Sequence, residues 1–297
     1  MFSEKFGRLI TAMVTPFNHD LSIDFDSLEK LINHLIETGT ESILVSGTTG
    51  ENPTLTHDEE WILLRKTKEI INGRIPIIFG AGSNSTKTAT ESSLKAQEEG
   101  ADGIMSVCPY YNKPNQEGII AHFSAVAEAV DLPILIYNNP GRTGSYIEAN
   151  AVSFLNKKFS NISAVKESSG SLDFFVNSKI ENPNVEVYCG DDYLTLPSLS
   201  VGSVGVVSVA SHFVGKDIRE LIETFLTGKN SEAAKIHTKL FPLYKALFKS
   251  PSPGPTKYIL SKLGVIKSYV RLPITQPAES VRNSLDEFVN EIALLQG

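Results

Sequence analysis

The chain has 297 residues, enough for one large α/β barrel or two average domains. Hydrophobic residues make up 41% and charged residues 21%, and 21 Gly and 15 Pro lie scattered without period, which excludes disordered and collagen-like chains. A net charge of −7, from 27 basic and 34 acidic residues, leaves no basic footprint for nucleic acid or an anionic membrane.

Short β-branched apolar runs recur along the chain: Leu9–Val14, Ser42–Val45, Ile75–Phe79, Gly103–Val107, Pro133–Tyr137, Ile162–Val165, Val185–Cys189 and Gly205–Val209. They are continuously apolar, as parallel strands covered on both faces should be. Helical spacing separates them. Leu28, Leu31, Ile32, Leu35 and Ile36 share one face, with Gly39 as the stop. Thr56 and Glu59 have the spacing of a capping box before Trp61–Ile71. Ala89, Ser93 and Ala96 form a small-residue face before Gly100, and Ile119–Val130 reads as another helix. Eight strands at intervals of about thirty residues, each followed by a helix, predict a (β/α)8 TIM barrel over residues 1–228. Residues 229–297 read as a small C-terminal helical region: Ala233–Phe248, Thr256–Leu263 and Val281–Leu295 have helical patterns, and Ser250-Pro-Ser-Pro-Gly-Pro255 is a rigid break. A dinucleotide-binding sheet is disfavoured, because Thr15-Pro16-Phe17 follows the first strand in place of a glycine-rich turn.

The longest apolar stretches, Pro133–Tyr137 and Val204–Ala210, are far shorter than the roughly 20 residues that span a bilayer. Met1-Phe-Ser-Glu-Lys-Phe-Gly7 lacks a signal peptide's apolar segment, so a cytoplasmic enzyme is expected. Cys108 and Cys189 form no CxxC and are expected as small buried hydrophobes. No two histidines stand at ligand spacing, and Asp191-Asp192 lacks a partner motif for a metal.

A barrel puts its chemistry at the C-terminal ends of its strands. Unusual residues collect there: Gly47-Thr-Thr-Gly-Glu51, Gly80-Ala-Gly-Ser-Asn84, Cys108-Pro-Tyr-Tyr-Asn112, Tyr137-Asn-Asn-Pro-Gly-Arg-Thr-Gly144, Lys166 and Gly190-Asp-Asp192. Lys166 closes the run Ile162–Val165. Desolvation there favours a neutral amine, the nucleophile that forms Schiff bases with carbonyls. Position alone leaves open a lysine paired with a carboxylate at the barrel mouth. Tyr137 ends the preceding strand and would neighbour Lys166, where a phenol can shuttle protons during imine formation. Thr48 and Thr49 can relay a proton or bind a carboxylate, or can be plain turn residues. Tyr110 and Tyr111 can act in the site or anchor an interface. Arg142 carries a fork suited to a carboxylate.

In order and spacing these motifs, together with Pro109-Tyr-Tyr-Asn-Lys-Pro114, Val165-Lys-Glu167 and Arg271-Leu-Pro273, resemble the dihydrodipicolinate synthase family, also called 4-hydroxy-tetrahydrodipicolinate synthases. The resemblance runs from about Leu9 to Pro273. It implies that Lys166 forms a Schiff base with pyruvate and that Tyr137 donates and accepts protons. Thr48 and Tyr111 would complete a hydroxyl relay, Tyr111 reaching into the neighbouring subunit's site of a homotetramer built from dimers. Thr49 and the Val207 backbone would bind pyruvate, and Arg142 the carboxylate of aspartate 4-semialdehyde. No metal or organic cofactor is implied. The reaction implied is the committed step of diaminopimelate and lysine biosynthesis. Related N-acetylneuraminate lyases and 2-keto-3-deoxy sugar-acid aldolases share the fold and first chemical step, and a non-catalytic barrel binding a small acid is the remaining alternative.

His57, Asn84 and Tyr110 match residues of an effector pocket in lysine-inhibited members. Glu60 stands where a second histidine is expected, and Thr88 where an acidic residue is expected. With Glu60 expected to point to solvent, lysine is expected to inhibit weakly or not at all. Asn139 replaces a usual apolar residue, with no physical account from sequence.

Overall fold

Strands β1 (Leu9–Ala12), β2 (Ser42–Val45), β3 (Ile77–Gly80), β4 (Gly103–Val107), β5 (Ile134–Asn138), β6 (Ile162–Glu167), β7 (Glu186–Cys189) and β8 (Gly205–Ser208) run parallel and close into a barrel, β8 pairing with β1. The computed structural model describes residues 1–296, with side chains through residue 292. Each predicted strand is present: β2 and β4 have the predicted ends, and the ends of the others move by no more than two residues. β3 starts at Ile77, not Ile75, because Pro76 has no N–H to give the ladder. Among the described residues no helix is long and apolar enough to cross a membrane.

Successive side chains on every strand point to opposite faces, and both faces are buried. Ile10, Ala12, Leu44, Ile78, Met105, Leu135, Tyr137, Ala164, Tyr188 and Val207 fill the barrel, while Leu9, Ile43, Val45, Phe79, Ile136, Val165 and Val206 pack under the helices. Two apolar environments therefore produce one continuous apolar run in the sequence. The N-terminal end of the barrel is plugged by a helix that the sequence did not signal, Phe2–Phe6. Phe2 and Phe6 are buried with the barrel's own interior residues, Phe2 against the edge of Tyr188 at 5.8 Å, and the Tyr188 hydroxyl donates to the Gly7 carbonyl at 2.7 Å. Five residues are too few to display a helical period.

The expected punctuation is in place. Thr56 and Glu59 form a reciprocal capping box on the helix His57–Ile71, and Gly39 and Gly100 take left-handed backbone angles just beyond helices Phe25–Glu37 and Thr86–Glu98. After β8 come helices Ser211–Leu226, Asn230–Ala246, Gly254–Lys262 and Glu279–Gln296.

A buried ionic clamp joins these last helices to the turn after β2. Glu51 closes that turn in the left-handed region at φ 59°. Its Oε1 lies 2.5 Å from Lys257 Nζ, with side-chain exposures of 2% and 0%, and its Oε2 accepts the Arg271 backbone N–H at 2.8 Å. Lys257 also donates to the Tyr269 carbonyl at 2.9 Å. Burial pulls the Lys257 ammonium below the usual lysine range, and Glu51 beside it opposes that pull. Arg271 grips both oxygens of Glu59 at 2.5 and 2.8 Å, which holds that carboxyl at about 2. Lys257 and Arg271 both lie over the Phe17 ring, at 4.0 and 4.4 Å. Lys257→Met would strand the Glu51 carboxylate in the interior, and it is expected to cost about 3–5 kcal/mol in urea unfolding. Adding Glu51→Gln, which removes the charge and keeps the acceptor for Arg271, should recover most of that loss. Equal midpoints for wild type and Lys257→Met would contradict the clamp.

Candidate active site

Alternation along β6 turns Ala164 and Lys166 inward and Val165 outward, so Lys166 occupies the last inward position before the barrel mouth. Tyr137 on β5 is its register partner, and Lys166 Nζ stands 4.2 Å from the centre of the Tyr137 ring. Lys166 is 7% exposed and Tyr137 5%. The space above the amine is kept open by Gly190, where a Cβ would fall 3.0 Å from Lys166 Cε and far inside contact distance of Ser168 Oγ.

A cavity of about 450 Å³ at this end of the barrel is lined by Thr48, Thr49, Tyr137, Arg142, Lys166 and Val207, six of the residues singled out from the sequence. Thr48 and Thr49 enter on the short helical turn Thr48–Gly50, whose Gly50 carbonyl is held by the Thr15 hydroxyl at 2.6 Å. Val207 enters from β8. Arg142 sits exposed on the helix Pro140–Thr143 and lines the cavity from its rim. Tyr111 does not join them within the chain: it is 89% exposed, with a left-handed backbone at φ 73°.

Three carboxyls stand at the ends of β6 and β7, Glu167 and Asp192 buried and Asp191 half-buried, and their tasks differ. Glu167, turned outward, is raised by burial and is held by the Asn138 amide at 2.8 Å and the Ser169 N–H at 2.7 Å. Asp192 accepts from the Ser208 hydroxyl at 2.5 Å and from the Val209 and Ala210 N–H groups at 3.1 and 3.0 Å, which fixes the end of β8. Asp191 lines the cavity; burial lifts its carboxyl to about 6 while Lys166 pulls the other way. The sequence offered the Asp191-Asp192 pair only as a metal candidate, and among the described residues no three His, Cys, Asp or Glu side chains gather as a metal cluster. Cys108 and Cys189 are buried, and desolvation raises both thiols to about 12. That agrees with their expected apolar role.

A second cavity of about 550 Å³ meets the first along Thr48, Tyr137 and Arg142. His57, Glu60, Thr88 and Tyr110 line it, whereas Asn84 does not; the Asn84 carbonyl instead accepts from the Asn112 amide at 2.9 Å. The expectation that Glu60 points to solvent is corrected. Glu60 is 6% exposed, accepts from the Ser46 hydroxyl at 2.6 Å and pairs with His57 Nδ1 at 3.0 Å. Its place one turn into the helix puts it on the face that packs toward β2, which the charge alone concealed.

With this geometry, comparison with known proteins is decisive. Residues 5–292 match the family model described as the dihydrodipicolinate synthetase family. The chain belongs to that family. The 4-hydroxy-tetrahydrodipicolinate synthase of Bacillus subtilis (strain 168) is 45% identical over 97% of this chain and 100% of its own length. A crystal structure of dihydrodipicolinate synthase from Cyanidioschyzon merolae with lysine bound superposes with a TM-score of 0.94 at 45% identity, covering 97% of this chain and 99% of that one. A chloride-inhibited dihydrodipicolinate synthase from Acinetobacter baumannii, complexed with pyruvate, gives a TM-score of 0.91 at 36% identity over 96% and 98%. For a dihydrodipicolinate synthetase family member, Asp191, Asn139 and Ser168 are among the cavity-lining residues that sequence reasoning left without a part in the reaction. The fold brings Asp191 into the cavity of Lys166, while Asn139 reaches the Tyr137 hydroxyl from two positions along the chain.

Proposed function

We propose that this chain is a 4-hydroxy-tetrahydrodipicolinate synthase, condensing pyruvate with L-aspartate 4-semialdehyde. The observation that carries the proposal is a buried amine, Lys166, beneath a phenol in a cavity with an arginine at its rim. Lys166, as the free amine, attacks C2 of pyruvate, and loss of water leaves a protonated imine. The iminium draws electrons from the methyl group, which sheds a proton to give an enamine. The enamine carbon attacks the aldehyde of the second substrate, and the aldehyde oxygen takes up a proton. The amine of that substrate then adds to C2, the Lys166 amine leaves, and the ring is closed.

Tyr137 moves protons in the imine steps, with Thr48 and the Tyr111 of a neighbouring subunit completing the relay. The exposure of Tyr111 supports this crossing, and the assembly proposed is a homotetramer of paired dimers. Thr49 and the Val207 backbone hold pyruvate. Arg142 receives the carboxylate of the semialdehyde, which argues against the sugar-acid lyases, whose polyol chains need hydroxyl partners rather than a guanidinium fork. The reaction belongs to diaminopimelate and lysine biosynthesis. Borohydride added with pyruvate should fix a three-carbon adduct on Lys166, read by peptide mapping, and Lys166→Ala should stay folded and unlabelled. Label on another lysine, or none, would overturn the mechanism.

The second cavity is the effector pocket in this reading; lysine is a bound ligand in one solved relative. Thr88 supplies no charge for an ammonium, but buried Glu60 does. With Glu60 in the pocket, lysine is expected to bind, in place of the weak or absent inhibition expected from the sequence, and Glu60→Gln should weaken binding by about ten- to a hundredfold in calorimetry, the worth of one charged hydrogen bond. Equal affinities would contradict the assignment.

A further inference from the structure

Asn139 follows Asn138 at the end of β5 and lines the cavity of Lys166. Its Oδ1 accepts the Arg142 backbone N–H at 3.2 Å and so caps the helix Pro140–Thr143. Its Nδ2 donates to the Tyr137 hydroxyl oxygen at 2.8 Å. The two ends of the amide cannot trade places. The Arg142 N–H is shared with the Asn139 backbone carbonyl at 3.0 Å, and because a backbone N–H only donates, turning the NH2 toward it would set donor against donor; the amide oxygen faces Arg142 and the NH2 the phenol.

The direction of this second bond has a chemical consequence. The phenol oxygen is the acceptor, so the proton of Tyr137 is not used in it and is left to be donated into the cavity. A phenol with no partner there could place its O–H in either of its two positions in the plane of the ring. One offered an acceptor at this position would turn its proton away from the reacting atoms. We propose that Asn139 is a positioning residue that sets the direction of the Tyr137 O–H during the proton transfers of the condensation, while the same amide holds the helix that carries Arg142. The proposal rests on Tyr137 acting as the proton-transfer group.

Two substitutions separate the two ends of the amide. Asn139→Asp keeps an oxygen for the Arg142 N–H but presents the phenol with an acceptor, reversing the bond. Asn139→Ser keeps a capping oxygen and removes the donor. Each is made in the wild type and in Tyr137→Phe, and exchange of pyruvate methyl protons in D2O is followed by NMR alongside kcat, KM and borohydride trapping. Asn139→Asp should slow exchange and kcat by about tenfold or more, with KM for pyruvate changed by less than about twofold, and Asn139→Ser should slow them by about three- to tenfold. Neither change should slow the Tyr137→Phe enzyme further, because both act through the missing hydroxyl. Exchange within about twofold of wild type in both variants, or the full loss repeated in Tyr137→Phe, would overturn the proposal. Wild-type protein that cannot be trapped at Lys166 would overturn the imine reading along with it, whereas normal trapping with unslowed exchange removes the Asn139 assignment alone.

Discussion

A closed parallel barrel has room for polar chemistry only where its strands run out, and Lys166 takes the last inward position of β6 at that boundary. Most earlier inward positions are apolar, Ile10, Leu44, Leu135 and Ala164 among them, and at the far end the Phe2–Phe6 helix seals the barrel, its Ser3 N–H held by buried Glu186. The amine is thus held against the Tyr137 ring by the same alternation that packs the barrel, with its outlet toward the mouth. Gly190 completes the arrangement by placing no side chain where the lysine stem must pass.

At the C-terminal ends of the strands, buried carboxyls serve as ties. Glu51 joins the turn bearing Thr48 and Thr49 to Lys257 and Arg271, Glu167 joins the end of β6 to Asn138 and Ser169, and Asp192 joins β7 to the end of β8 that bears Val207. Each is satisfied by two or more donors, as a carboxyl withdrawn from water must be. The helices after β8 are thereby coupled to catalytic geometry: Lys257 and Arg271, more than two hundred positions from Glu51 in sequence, hold the turn that shapes the cavity floor. Asn139 repeats the device at smaller scale, one amide spanning a phenol and a helix start.

How far this could be read from the chain follows from what a linear pattern records. Buried parallel strands write themselves as apolar runs, and a lysine or tyrosine ending such a run stands out, so the barrel and the Tyr137–Lys166 pairing were legible. The five-residue plug at the N-terminus was not, because it spans little more than one helical turn. Glu60 was misread because a charged residue early in a helix ordinarily faces water, and only the packing of that helix against β2 turns it to Ser46 and His57. Asn139 showed as a polar residue in an apolar place; its work depends on Arg142 and Tyr137 lying on either side of it, a relation of geometry rather than spacing. Tyr111 is exposed and lines neither cavity of its own chain, so the part proposed for it depends on a second subunit that a linear pattern does not record.

The account turns on which carbonyl partner the enamine meets. The direct measurement is to supply pyruvate with aspartate 4-semialdehyde, and in parallel to supply N-acetylneuraminate and a 2-keto-3-deoxy sugar acid, while following products by mass spectrometry. The account predicts a cyclised condensation product from the first pair and no appreciable cleavage of the sugar acids. Efficient release of pyruvate from a sugar acid, with no product from the semialdehyde, would contradict it.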